Sequence, residues 1–354
     1  MTALKKLILR RIAAEGPMPL SDYMAMCLMH PKHGYYQKER VFGKAGDFIT
    51  APEVSQMFGE VIGLWLAERW IAMGGPSPVQ LIELGPGRGT LMADIWRATR
   101  KVPGFHAAAS VHFVEASTQL RALQREKMPA AHWHDNLMTV PEGPSLIVAN
   151  EFFDALPIHQ FEKRDGLWFE RLVGAEDDTL GFTLGAASAK LALIPDAVKA
   201  APNGSIAEVC PAALTVTSTI AERLKAHGGA ALILDYGYAR SAPGDTFQAL
   251  KAHQYTDPFA EPGAADLTAH VAFDRIAETA QEAGLTASAI AEQGTFLMTI
   301  GLGARAQQLA AGADDAGQAR ILSELKRLTA PDEMGQLFKV IALQSPGLTP
   351  PPGF

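Results

Sequence analysis

Leu81-Ile82-Glu83-Leu84-Gly85-Pro86-Gly87-Arg88-Gly89-Thr90 is the stretch on which the reading of this chain turns. An apolar run ends in an acid, glycines fall at 85, 87 and 89, and an amphipathic run follows. The pattern predicts a strand, a tight turn and the start of a helix. Glycine takes φ > 0 freely and lets a ligand approach the backbone with no Cβ in the way. The carboxyl end of a strand is where open α/β sheets bind ligands. The spacing is G-x-G-x-G with an acid two residues before the first glycine, not the G-x-G-x-x-G of dinucleotide folds. A tight strand-to-helix turn with no ligand would have the same outward form.

Outward from this stretch the chain alternates. Residues 79–83 read as a strand, 90–100 as a helix, 111–115 as a second strand and 117–127 as a second helix. A short strand near 132–134 and a stronger one at 146–150 follow. Alternation of this kind implies a parallel sheet with crossover helices, an α/β fold. Residues 1–75 read as an N-terminal helical extension with a polar loop, closed by Gly74-Gly75-Pro76. Within it, 4–12 is basic and amphipathic, a surface helix with one apolar face. Val54, Phe58, Val61, Ile62, Trp65, Leu66, Trp70 and Met73 follow a helical period. Glu60, Glu68 and Arg69 interrupt them, so the segment reads as a core helix and not a membrane span.

The rhythm breaks at about 156–229, which reads as an insertion. Strand-like runs at 158–163 and 167–173 flank Asp165-Gly166, a hairpin signal, and a loose stretch leads to a helix near 212–227. The sheet resumes at 231–235, and 240–271 is a long irregular segment. A helix at 272–284, a strand at 286–291, two helices over about 303–328 and a strand at 338–344 complete a core that spans 76–345. The tail, 346–354, carries prolines at 350, 351 and 352 and reads as frayed. There is no internal repeat.

Composition narrows the function. The 354 residues are 48% hydrophobic, enough for a full core, and the net charge of −7 argues against a generic nucleic-acid binder. Cys27 and Cys210 form neither a metal spacing nor a disulfide framework, which fits a reducing compartment. No targeting segment and no integral membrane segment are evident, and a cytoplasmic location is expected. No His-x-x-x-His with an acid occurs among the ten histidines, and no metal is expected. His270, beside Asp266 in the irregular segment, is the most suggestive of the ten, although a capping or core histidine would look the same.

Several residues carry chemistry by position. Glu115 ends the second strand, where a carboxylate can accept hydrogen bonds from paired ribose hydroxyls; the alternative is a helix-terminal acid that complements the next macrodipole. Asp135-Asn136 follows the third strand and suits adenine recognition or a plain Asx turn. Asn150-Glu151-Phe152-Phe153-Asp154 ends the fourth strand and gathers two carboxylates, an amide and two aromatic rings. Carboxylates can fork a guanidinium there; the alternative is a helix N-terminus with Asn150 as cap. The loop 43–55, which contains Thr50, reads as a cover over a ligand or as a linker into a helix.

These motifs together resemble one family, the MidA-like S-adenosylmethionine (SAM)-dependent methyltransferases, relatives of the mitochondrial complex I assembly protein-arginine methyltransferase. The resemblance rests on Pro31-Lys32-His33-Gly34-Tyr35-Tyr36, Gly46-Asp47-Phe48-Ile49-Thr50-Ala51-Pro52-Glu53-Val54-Ser55, the glycine stretch 83–90 and Asn150 to Pro157. Asp235-Tyr236-Gly237-Tyr238, Gly244-Asp245-Thr246-Phe247-Gln248 and Asp266-Leu267-Thr268-Ala269-His270-Val271 complete it. It implies a class I (Rossmann-like) seven-stranded sheet with the last strand antiparallel, and SAM as cofactor. Thr50, Glu83, Gly85, Gly87, Gly89, Glu115, Asn136 and Asn150 would hold SAM; Glu151, Asp154 and His270 would serve catalysis. It further implies symmetric dimethylation of an arginine on a core subunit of respiratory complex I or NADH:quinone oxidoreductase, and so a protein substrate; with the acidic net charge no nucleic-acid partner is expected, and the sequence leaves a homodimer open. One departure is visible: Ala272 stands where the family pattern carries an acid, and Asp274 follows two positions later. A nicotinamide oxidoreductase and a SAM-binding assembly chaperone without turnover are the competing classes.

Overall fold

The computed structural model describes residues 1–37, 50–187 and 190–354. Positions 43–49 of the expected covering loop lie outside the described residues. The chain forms two units.

The unit within 49–153, 216–239 and 273–354 is built around the glycine stretch. Its sheet contains β1 (Val79–Leu84), β2 (Ala109–Val114), β3 (His132–His134), β4 (Ser145–Asn150), β5 (Gly229–Tyr238), the two-residue β6 (Thr286–Ala287) and β7 (Phe338–Gln344). They lie in the order β3-β2-β1-β4-β5-β7-β6. The pairings among β1 to β5 are parallel, and β7 runs antiparallel to both β5 and β6. β1 and β4 are buried along their whole length, as near-continuous apolar runs in a sheet covered on both faces must be. Short helix α1 (Ala51–Val54) runs into α2 (Gln56–Ala72); α3 (Thr90–Ala98) follows β1 and α4 (Thr118–Lys127) follows β2. Phe58, Ile62, Trp65 and Leu66 of α2 share one core with Leu81, Val148 and Leu232 of the strands. α1 and α2, read from the sequence as part of the N-terminal extension, therefore belong with the sheet.

Two expectations are corrected here. The strand expected at 286–291 is two separate two-residue pairings with β7, at Thr286–Ala287 and Ala291–Glu292; between them Ser288 N donates to the Ala342 carbonyl (2.9 Å) and the Ser288 hydroxyl oxygen accepts from Ala342 N (2.9 Å), so a side chain takes the place of the backbone acceptor that would continue the ladder. The tail is not frayed. Trp65 Nε1 donates to the Pro352 carbonyl (3.0 Å), Arg69 Nη1 donates to the Thr349 carbonyl (2.7 Å), and Phe354 packs on Phe296 with ring centroids 5.0 Å apart. Buried donors on α2 require acceptors, and carbonyls of a proline-rich strap outside the sheet supply them.

The other unit lies within 1–48, 154–215 and 240–272. Helix Ala3–Glu15 buries Leu4, Ile8 and Ile12, the apolar face read from the sequence. These pack with Tyr23 and Met24 of helix Leu20–Met29, and with Val173, Phe259 and Leu267. The hairpin signal is realised: strands His159–Arg164 and Leu167–Glu176 pair across Asp165 (φ 49°) and Gly166 (φ 78°). The loose stretch holds two further strands, Thr179–Ala187 and Ile206–Val209. The segment expected to be irregular, 240–271, contains a three-stranded antiparallel sheet of Gln248–Lys251, Gln254–Thr256 and Asp266–Thr268. These short strands lack an alternating apolar pattern, so pairing partners and not local propensity make them strands.

Candidate active site

The glycine turn after β1 takes the left-handed conformation at Gly85 (φ 62°), Gly87 (φ 51°) and Gly89 (φ 72°). A non-glycine residue there carries a steric cost. Gly85 N donates to the Val114 carbonyl (3.0 Å), which ties the turn to β2. A Cβ at Gly85 would lie 2.7 Å from Phe152 Cδ2, so packing as well as backbone angle demands glycine. Gln124, fully buried on α4, donates from Nε2 to the Gly87 carbonyl (2.7 Å) and to Glu115 Oε2 (3.1 Å), while its Oε1 accepts from Trp133 Nε1 (2.8 Å).

Three polar groups gather at the ends of neighbouring strands. Glu83 on β1 is 3% exposed, and its Oε2 is buried with no hydrogen-bond partner among the described residues. Burial raises its pKa to about 8; the charge of Glu115 adds to this, and the Met92 backbone N–H and Lys127 oppose it. Asn150, at the end of adjacent β4, donates from Nδ2 to Glu151 Oε1 (3.0 Å), and its buried Oδ1 has no hydrogen-bond partner among the described residues. Glu115, just past β2, accepts from Ser117 N at Oε1 (2.8 Å) and from Gln124 at Oε2, and burial still raises its pKa. Glu115 thus takes its place at the start of α4, as the helix-terminal alternative requires, yet a carboxylate that accepts two bonds retains capacity for more. Buried acceptors without partners at two adjacent strand ends mark a place for a donor-bearing or cationic ligand.

Glu151 follows β4 with φ 50°, a left-handed conformation rare for a side chain of this size. Its N–H donates to the Leu234 carbonyl (2.9 Å), and its Oε1 accepts from Ala51 N (2.8 Å) as well as from Asn150. Phe152 N (3.1 Å) and Phe153 N (2.9 Å) both donate to Oδ2 of the fully buried Asp235 on β5. No helix starts at 151–157, so the helix-cap alternative for Asn150 is not realised; Asp235 holds the segment as a turn instead.

Thr50, Glu83, the three glycines, Glu115, Asn150 and Glu151 thus share one unit, with Thr50 at the N-cap of α1. Asn136 lies in the same unit but is exposed, at the start of the turn Leu137–Thr139, and makes no side-chain capping bond. Asp154 and His270 belong to the other unit and lie on neighbouring backbone there. The Asp154 carbonyl accepts from Ala269 N (3.1 Å), and His270 N donates to Thr246 Oγ1 (2.9 Å). Sequence reasoning missed Gln124 and Asp235 as organisers. A glutamine one turn after Leu120 on the apolar face of α4 was the available signal for Gln124. Among the described residues no cluster of three or more His, Cys, Asp or Glu is arranged to hold a metal ion.

The strand order, the glycine turn after β1 and the buried acid on β1 with a second just past β2 define a class I SAM-dependent methyltransferase. A family described as S-adenosyl-L-methionine-dependent methyltransferase matches residues 61–291, and the chain belongs to it, within the MidA-like group that its sequence motifs indicate. It is 37% identical to the Drosophila melanogaster protein named "Protein arginine methyltransferase NDUFAF7 homolog, mitochondrial", across 96% of this chain and 84% of that one. It is 34% identical to the Homo sapiens protein arginine methyltransferase NDUFAF7, mitochondrial, across 97% and 83%. A COG1565 superfamily structure from Burkholderia thailandensis, bound to S-adenosyl-homocysteine, superposes with a TM-score of 0.83 at 28% identity, over 99% of this chain and 94% of that one. The cofactor is SAM, and the unsatisfied acceptors of Glu83 and Asn150 fit a ligand that carries an ammonium, a sulfonium and hydroxyls. The relatives are mitochondrial by name, which overturns the expectation of a cytoplasmic location. Among the described residues no helix is long and apolar enough to cross a membrane.

Proposed function

We propose that this enzyme methylates arginine side chains of a protein, with Glu151 as the acid that receives the guanidinium. The observation that carries the reading is the backbone of Glu151: a bulky residue is held at φ 50° by Leu234, with its carboxylate aimed by Ala51 N and Asn150. Strain of this kind persists only where the surroundings enforce it, and it concentrates at functional sites. The names of the relatives supply the acceptor class. The sequence resemblance extends it to a core subunit of respiratory complex I or NADH:quinone oxidoreductase, symmetrically dimethylated.

SAM supplies an electrophilic methyl group on a sulfonium leaving group. The glycine turn, Glu83, Glu115 and Asn150 hold the donor; Thr50 and Asn136 extend that set. A guanidinium is protonated at neutral pH and its nitrogen is a poor nucleophile. Glu151, bonded to one nitrogen, draws the positive charge toward that side and takes the proton lost as the new N–CH₃ bond forms. Asp154 is the second candidate for this role, with His270 as a third group.

Glu151→Gln keeps the volume and one acceptor oxygen but loses the charge. Methyl transfer from labelled SAM should fall about 100-fold or more, with S-adenosylhomocysteine affinity within about threefold of wild type by calorimetry. Wild-type rates in Glu151→Gln would sink the role, and Asp154→Asn and His270→Ala measured beside it would then decide among the remaining groups. Mass spectrometry of the complex I core subunits from a strain lacking the enzyme tests the acceptor: an unmethylated arginine is the expected result, and full methylation refutes it.

A further inference from the structure

The one-turn helix α1 touches both halves of the reaction within a single unit. At its start, Ala51 N donates to Glu151 Oε1 (2.8 Å). At its third residue, Glu53 Oε1 accepts from Thr90 Oγ1 (2.5 Å), the first residue of α3 directly after the glycine turn. Glu53 Oε2 also faces Arg88 Nη1 of the turn itself (3.8 Å), and Lys127 Nζ donates to the same Thr90 hydroxyl. Four residues form too short a helix to hold its own shape in isolation. Burial of Ala51 and Pro52 fixes where α1 lies, and Ser55 joins it to α2, but the polar anchor that sets its direction is Glu53.

From this geometry we propose that Glu53 is a positioning residue that couples the cofactor turn to the acceptor acid: it orients α1 against Thr90 and Arg88, and α1 in turn presents the Ala51 N–H that aims the Glu151 carboxylate. The inference rests on the reading of Glu151 as the acceptor acid. A methyl donor seated on the glycine turn meets a Glu151 already oriented, because the residue that follows the turn and the helix that aims the acid are bonded to each other. The Arg88 contact is long and half-exposed and contributes little alone; the Thr90 bond to a carboxylate is the stronger link.

Hydrogen exchange on the ligand-free protein tests the link without reference to turnover. Glu53→Ala should accelerate exchange in peptides covering 50–55 about tenfold, and Thr90→Val should do the same from the other side. Glu53→Gln, which keeps an oxygen acceptor for Thr90, should restore wild-type exchange. In methyl transfer from labelled SAM into extract protein of a strain lacking the enzyme, Glu53→Ala should lower kcat about tenfold with the KM for SAM within threefold. The double variant Glu53→Ala/Thr90→Val should be no slower than either single variant. Unchanged exchange at 50–55 in both single variants overturns the inference whatever Glu151 does. Accelerated exchange with wild-type kcat, beside an inactive Glu151→Gln, overturns the coupling. Accelerated exchange beside a fully active Glu151→Gln instead refutes the Glu151 reading and leaves only the orientation of α1 by Glu53.

Discussion

Glu83→Gln should stabilise the ligand-free protein at alkaline pH while weakening its hold on SAM. The carboxyl is 3% exposed, one of its oxygens has no hydrogen-bond partner among the described residues, and burial lifts its pKa from 4.5 to about 8. Between those two values the folded protein binds more protons at this site than the unfolded chain does. Stability therefore falls as pH rises through that window, and the full penalty is present above pH 8. A shift of this size corresponds to at most about 5 kcal/mol. Water entry and relaxation around a buried charge reduce what is realised, so a gain of roughly 2–4 kcal/mol for Glu83→Gln at pH 9 is expected. At pH 5 only the start of that window has been crossed, so the gain should shrink to about 1 kcal/mol or less, and it vanishes below about pH 3.5, where the wild-type group is neutral in both states. Urea unfolding of both proteins at pH 5, 7 and 9 measures it. A cationic ligand reverses the preference, because an ionised Glu83 then has a partner. At pH 7 the carboxyl is mostly protonated in the ligand-free state, so SAM binding should expel a proton from it. Calorimetry in two buffers of different ionisation enthalpy reads that proton, and subtraction of the Glu83→Gln result removes the ligand's own titration. A stability difference independent of pH, or equal proton release in both proteins, would refute the reasoning.

Three further outcomes follow from the same geometry. Gly85→Ala forces a Cβ into the left-handed region at φ 62°, 2.7 Å from Phe152 Cδ2, and should cost about 2–4 kcal/mol by urea unfolding; an unchanged midpoint would show that Phe152 yields freely. Glu115→Ala should weaken S-adenosylhomocysteine binding at least tenfold and lower stability by about 1–3 kcal/mol, since Ser117 N and Gln124 Nε2 lose their acceptor; a loss of affinity under about threefold would leave the acid only its place at the start of α4. Deletion of residues 346–354 strands the Trp65 indole donor and takes one of the two acceptors of Arg69 Nη1, leaving Gln344 Oε1, and should lower stability by about 1–3 kcal/mol; wild-type stability in the truncated chain would mean that water satisfies them.

Much of the sheet unit was legible from the chain because its signals are local. The apolar run into Glu83, the glycines at 85, 87 and 89, and the alternation to residue 150 each depend on a few adjacent residues whose backbone preferences are strong. β7 was read to the residue for the same reason. The buried acids at the strand ends were also legible, since an acid that closes an apolar run has little choice of place. Elements that owe their form to distant partners were not. Thr179–Ala187 and the three short strands within 240–271 exist because other strands pair with them, and the proline-rich tail is ordered because Trp65 and Arg69 need its carbonyls. Nor does the sequence say which acid does what. Glu53 and Glu151 lie far apart in the chain, and only folding bonds Ala51 to one while the other grips Thr90. By itself the sequence determined the sheet, the turn and the family. The tertiary structure alone decided which partners each carboxylate meets and how deeply it is buried, because a carboxylate's charge and direction are set by what surrounds it in space.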